Sequence, residues 1–244
     1  MQRFAQDRVF WLVVAAILVA FVLLQARSAL GIAYIIVSLL VAVTVHECSH
    51  AWAALRLGDD TAAARGRISL NPLVHLDPLG TVMMVITALT GFGLGWGKPV
   101  PVAPYRLRYG PRVGNGLVSL AGPLSNILLA AALGLAVRLS GNVVYALPWL
   151  ADLLVTVVML NLVIAVFNLL PIPPLDGYSV LIGLLALPRT RWGHQAANTL
   201  ESWNRFGMLL LFGLILFSQF MGLNLLGRLV GQPALALYRV ILGG

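Results

Sequence analysis

The chain has 244 residues, 60% hydrophobic and 10% charged, with a mean hydropathy of +0.93 and a formal net charge of +8. That much apolar surface excludes an ordinary soluble enzyme, and its helix-length apolar runs predict an all-α polytopic membrane protein rather than a barrel. The charge is almost wholly arginine in short loops, with Lys98 the only lysine, which follows the positive-inside pattern and gives no nucleic-acid surface.

Residues 1–8 are polar and carry Arg3 and Arg8. Residues 10–24 are continuously apolar and are predicted as the first transmembrane helix, with the N-terminus on the cytoplasmic side. The second span, residues 29–57, contains Val45-His46-Glu47-Cys48-Ser49-His50. On a helix His46 and His50 stand one turn apart on one face, so both imidazoles can reach one metal ion. Glu47 sits beside them, where a carboxylate can take a proton from a water. A rise of about 26 Å from Ala29 to His46, at ~1.5 Å per residue, puts the motif inside the bilayer and nearer its inner face. Ionisable groups at that depth are costly and usually functional. Cys48, the single cysteine, excludes an intramolecular disulfide and reads as a small buried hydrophobe rather than a ligand.

Gly58-Asp59-Asp60 ends this helix, and Arg56, Arg65 and Arg67 mark an inside loop. Residues 79–94 are apolar but lead into Gly91, Gly93, Gly95 and Gly97, followed by Lys98-Pro99-Val100-Pro101-Val102. This is not a phosphate loop, because the required spacing is absent and Pro99 removes a backbone donor. A short re-entrant or β-like element is predicted between the motif helix and the next full span.

A basic loop carries Arg106, Arg108 and Arg112. Spans are predicted over residues 116–139, with Gly122-Pro123-Leu124-Ser125-Asn126, and 146–170, with Asp152, Asn161 and Asn168. The second of these breaks at Pro171-Ile172-Pro173-Pro174-Leu175-Asp176-Gly177. Residues 178–187 are too short to cross the bilayer, and residues 188–205 are polar and interfacial. Residues 206–226 form the last clear span, and the tail is expected along the interface. The expected total is about six transmembrane helices.

Two histidines leave a catalytic zinc short of a third protein ligand. Asp176, after the proline-rich break, is a candidate; its alternative is a cap or turn residue in Pro-Leu-Asp-Gly. Topology bears on the choice. If residues 79–94 cross fully, Asp176 reaches the outer side, away from His46 and His50. If they re-enter, Asp176 returns to the inner side, and Arg106, Arg108 and Arg112 lie inside as well.

His46-Glu47-Cys48-Ser49-His50, then Gly122-Pro123-Leu124-Ser125-Asn126, then Asn168-Leu169-Leu170-Pro171-Ile172-Pro173-Pro174-Leu175-Asp176-Gly177 resembles the site-2 protease family of intramembrane zinc metalloproteases. The three motifs occur in the family's order and cover roughly residues 29–185. Residues 66–78 and 95–104 are similar to a short subgroup with no PDZ or CBS domain. The resemblance implies one Zn2+ per chain, held by His46, His50 and Asp176, with Glu47 as catalytic acid/base. It implies that Asn126 and Asn168 help hold substrate or stabilise the reacting carbonyl; hydrogen bonding between helices is their alternative role. His75 is expected to serve its loop rather than the metal.

The organisation expected is residues 1–28 as a basic segment with the first span, 29–187 as a site-2 protease-like catalytic core, and 188–244 as an interfacial segment, last span and tail. The expected function is hydrolysis of peptide bonds in or near transmembrane segments of membrane-protein or peptide substrates, in the cell membrane. The alternatives are a metal transporter or metal-dependent sensor with the same His/Asp site, and a catalytically dead binding protein. Transport would call for more polar residues along several spans, and an intact Glu47 argues against a dead site.

Overall fold

A computed structural model describes residues 29–90, 95–188 and 190–243. The predicted span at 10–24, together with Gly91 and Gly93, lies outside the described residues. Helices make up the fold, with no strand among the described residues. They are α1 (Ala29–Arg56), α2 (Pro78–Thr90), α3 (Pro111–Leu139), α4 (Pro148–Asn168), α5 (Asp176–Ala186), α6 (Arg191–Trp203), α7 (Gly207–Phe220) and α8 (Gln232–Leu242). Single helical turns at Thr61–Ala64 and Asn142–Tyr145, and short 3-10 turns, join them.

Among the described residues four stretches are long and apolar enough to cross a membrane: α1, α3, α4 and Arg191–Phe220, in which a 3-10 turn joins α6 to α7. The polar stretch predicted as interfacial is helical as α6 and leads through that turn into α7. At 13 residues α2 is about 20 Å long, short of a ~30 Å hydrocarbon core. The chain on either side of it meets again: Leu76 and Gly97 form an isolated antiparallel bridge, and the Lys98 N–H donates to His75 O at 2.7 Å. Both ends of the α2 segment thus lie at one end of the bundle.

The same arginine-rich end is tied together around Asp59, which is fully buried. Its carboxylate accepts from the Thr61 N–H at 3.0 Å, the Thr61 hydroxyl and the Ala103 N–H at 2.6 Å. Arg106 bonds Asp60 and lies 3.7 Å from Asp59, and the Arg108 N–H donates to Leu57 O at 2.8 Å. Burial alone would raise the Asp59 carboxyl, but the Thr61 and Ala103 donors and the Arg106 charge outweigh it and hold it below the usual carboxylate range. A group lowered on folding stabilises the fold above its unfolded value, and that contribution is lost as pH falls through the folded one. Stability from this junction should therefore persist at neutral pH and be lost below about pH 4. Asp59→Asn should lower stability by about 1–3 kcal/mol at pH 7 and flatten the acid limb of a thermal-melt pH series.

α3 runs antiparallel to both α1 and α4, and small residues let the helices approach. Ala130 on α3, Val158 and Leu162 on α4 and Ala234 on α8 form a fully buried cluster. The tail is thus packed on α3 and α4. α5 runs back along the first turns of α3, where the Cα atoms of Gly116 and Gly183 come together. α6 folds onto α5: the Tyr178 hydroxyl donates to Leu200 O at 2.7 Å, and Arg112 forks onto Glu201 with two 2.7 Å bonds. Large apolar side chains such as Leu128, Leu135, Leu209 and Phe220 stay exposed on the outside, as a lipid-facing surface requires.

Candidate metal centre

α1 carries His46 and His50 one turn apart, both buried, with their rings 4.6 Å apart and nearly perpendicular. The facing surface is the middle of α3. There Gly122 presents no side chain: a Cβ would lie 2.5 Å from His50 Cε1 and Nε2 and 2.8 Å from His46 Cε1. Next to it Pro123 lacks the N–H that an interior helical residue would donate. The glycine therefore makes the room in which the two imidazoles sit.

Each ring is held by the nitrogen that faces away from the cluster. His50 Nδ1 is 2.8 Å from Val118 O, a carbonyl that can only accept, so Nδ1 carries the proton. His46 Nδ1 is 2.7 Å from Asn126 Oδ1. In both rings Nε2 is left to point at Asp176, the first residue of α5. Asp176 Oδ2 lies 3.0 Å from His46 Nε2 and 3.3 Å from His50 Nε2. The three donor groups lie within 4.8 Å of one another and could hold one metal ion.

The donor set fits zinc. Bonds of about 2.0 Å in a tetrahedral site put neighbouring ligand atoms about 3.3 Å apart, close to the two separations from Asp176. Nδ1–H to a carbonyl or amide oxygen, with Nε2 free, is also the arrangement that metal-binding histidines adopt. Two neutral imidazoles and one carboxylate suit a borderline divalent cation.

Glu47, half-buried, lies on α1 next to this cluster. Its neighbour from the returning loop is Gly97, where a Cβ would fall 2.9 Å from Glu47 Oε1 and 2.8 Å from Val43 Cγ1. That loop is clamped from behind. Arg67, itself buried, donates to Lys98 O, while His75 O accepts from the Lys98 N–H. Arg67 and Gly97 escape sequence reasoning, because each acts through a neighbour distant in the chain. His75 is fully buried, bonds Ser69 O at 2.7 Å and stands apart from the metal cluster. Cys48 is a free, half-buried thiol and is not among the clustered donors.

The two motif asparagines are placed differently. Asn126 is fully buried behind His46, and its amide nitrogen donates to Ala42 O at 2.9 Å and Asn161 Oδ1 at 2.7 Å. Asn168 ends α4, and its amide donates to Ile164 O of its own helix at 3.0 Å. Among the described residues neither amide reaches Asp176. Asn161, fully buried on α4, joins the site through Asn126. The signal that could have singled it out is an asparagine in the middle of an otherwise apolar span.

The sequence profile described as Peptidase family M50 matches residues 139–214, a stretch that includes Asp176 and its proline-rich turn. YwhC of Bacillus subtilis, which carries the name of a zinc metalloprotease, is 41% identical over 159 residues, covering 62% of this chain and 69% of YwhC. Rip2 of Mycobacterium tuberculosis, named in the same way, is 40% identical over 150 residues, 60% of this chain and 55% of Rip2. MJ0611 of Methanocaldococcus jannaschii is 29% identical over 184 residues, 73% of this chain and 85% of that protein. No solved structure matches the chain.

Proposed function

This chain belongs to peptidase family M50, the site-2 proteases, and from that premise we propose that it is an intramembrane endopeptidase cutting in or near the transmembrane segments of its substrates. A zinc metalloprotease of this family is a membrane enzyme, and its helices have the length and composition for that setting. The observation that carries the proposal is the convergence of His46, His50 and Asp176 from two distant helices beside Glu47.

In the proposed mechanism His46, His50 and Asp176 hold the ion. Zinc at that position supplies Lewis acidity, which activates water and polarises a scissile carbonyl. Glu47 takes the proton of the attacking water and delivers a proton to the leaving amine nitrogen. The nearby glycine at 97 keeps space open at the Glu47 carboxylate. Residues 95–103 contain no helix; Gly97, Lys98 and Ala103 are already bonded, and a locally unwound substrate is proposed to pair with the remaining backbone groups of this stretch, which favours sequence-tolerant binding. Asn168, at the end of α4, remains the candidate for a contact to the reacting peptide. The α2 segment is proposed to be re-entrant from the arginine-rich end. With the predicted first span the four long helices make five crossings and the re-entrant α2 segment is a sixth membrane element, with the N-terminus on the cytoplasmic side and the metal centre nearer that side.

The test is reconstitution of the full chain in nanodiscs with a single-span model substrate. We expect one zinc per chain and cleavage that stops when zinc is removed by a chelator and returns when zinc is added back. Cleavage that persists at undetectable zinc would overturn the proposal, and one zinc bound without cleavage of any single-span substrate would move the reading to a metal-dependent sensor.

A further inference from the structure

Three buried side chains on three helices form one hydrogen-bonded line that ends at His46. It starts at a backbone carbonyl, Val157 O on α4, which can only accept. Asn161 Nδ2 donates to it at 2.8 Å, so the amide of Asn161 is oriented with Oδ1 toward α3. That oxygen accepts from Asn126 Nδ2 at 2.7 Å. The same Asn126 nitrogen also donates to Ala42 O at 2.9 Å, a second group that can only accept. With both amide protons of Asn126 engaged, its Oδ1 must face His46 Nδ1, 2.7 Å away. An acceptor there requires a proton on Nδ1, and the lone pair of the ring is then at Nε2, beside Asp176. Asn126, Asn161 and the two carbonyl contacts are shut off from solvent, so water cannot substitute for a missing partner.

We propose that Asn161 is a positioning residue of the metal site: through Asn126 it sets the tautomer and ring orientation of His46, so that Nε2 is preset as a ligand atom. This gives Asn126 a place behind the ligand rather than against substrate. The two histidines are preset by different devices. His50 uses a backbone carbonyl directly, whereas His46 reads a carbonyl on another helix through two amides. The state of His46 consequently depends on the α3–α4 packing as well as on its own helix. The inference rests on the reading of His46, His50 and Asp176 as the zinc ligands.

The experiment measures zinc affinity of the full chain in detergent by competition with a chromophoric chelator, alongside the melting temperature of the metal-free protein. Asn126→Ala should weaken zinc binding about ten-fold or more, as loss of an outer partner of a metal histidine does, and Asn161→Leu by about three- to five-fold. Leucine has the same number of side-chain heavy atoms as asparagine but is larger and leaves one Asn126 amide proton unpaired, so a modest drop in the metal-free melting temperature is expected. Zinc affinity is therefore compared at a temperature where every variant is folded; Asn161→Ala, which adds no bulk, serves as a second variant. In the Asn126→Ala background Asn161→Leu should add no further loss, because its effect passes through Asn126. Wild-type zinc affinity in both Asn161 variants, or losses that add in full, would overturn the proposal. If neither variant folds, nitrogen NMR of the zinc-loaded wild type decides: His46 Nδ1 should carry a proton protected from exchange, and a metal-bound or freely exchanging Nδ1 would overturn it. A wild type that binds no zinc would remove the metal reading itself, a different failure from wild-type binding with indifferent Asn161 variants.

Discussion

Replacing Glu47 by glutamine should leave zinc at one per chain and lower cleavage by about 10²- to 10⁴-fold, the range that a positioned general acid/base contributes. Glutamine keeps the shape of the side chain and an acceptor oxygen, so the packing against Gly97 and Val43 need not change. What it removes is the ability to take up and return a proton. Because Glu47 is not among the clustered donor atoms, its loss should not release the ion. Zinc analysis and single-turnover cleavage on the same purified preparation check both halves. A Glu47→Gln variant that cleaves at the wild-type rate would remove Glu47 from the mechanism. Loss of zinc instead would make it a ligand. Gly97→Ala probes the same carboxylate from the other side and should give a smaller loss, since Glu47 must then shift to admit the methyl group.

Gly122→Ala should abolish zinc binding and cleavage together. The added Cβ would stand 2.5 Å from two atoms of the His50 ring and 2.8 Å from His46 Cε1, well inside van der Waals contact. The rings cannot yield without breaking their anchors, the 2.8 Å bond from His50 to Val118 O and the 2.7 Å bond between His46 and Asn126. Helix propensity works in the opposite direction, since alanine is the better helix former by about 0.8–1.0 kcal/mol. A loss of metal with an intact helical spectrum would therefore be a local collision and not unfolding. Gly213→Ala is the control, because a Cβ at that position on α7 meets nothing within 4 Å. It should keep zinc and activity. Zinc affinity unchanged in Gly122→Ala would mean that α3 does not face the metal site as closely as described.

Part of this site is legible in the sequence, for a local reason. His-Glu-x-x-His needs only the 3.6-residue repeat of one helix to put two imidazoles on a common face, and the apolarity of residues 29–57 requires that helix to be buried or membrane-embedded. The break at residues 171–175 is equally local, since its prolines cannot continue α4. Span ends are less legible. α3 begins at Pro111 rather than at residue 116, because Pro111 at its first turn has no N–H to satisfy and carries the helix into the basic loop. Hydropathy starts the last span near residue 206. α7 begins at Gly207, as hydropathy suggests, but α6 precedes it and is held to α3 and α5 by the Arg112–Glu201 fork and the Tyr178–Leu200 O bond, contacts that no periodicity discloses.

By itself, the sequence determined that this is a helical membrane protein, that α1 presents a two-histidine face with a carboxylate beside it, and that a proline-rich turn delivers an aspartate near the end of a later span. These follow from composition and from spacing within single helices. Tertiary structure alone decided that Asp176 meets His46 across 130 positions, that Asn126 stands behind a histidine with Asn161 behind it, and that Gly97 is laid against Glu47. Each of those depends on the register between helices distant in the chain. That register is set by where small residues such as Gly116, Gly122 and Gly183 let backbones close together, and by which buried polar atoms find partners once they do.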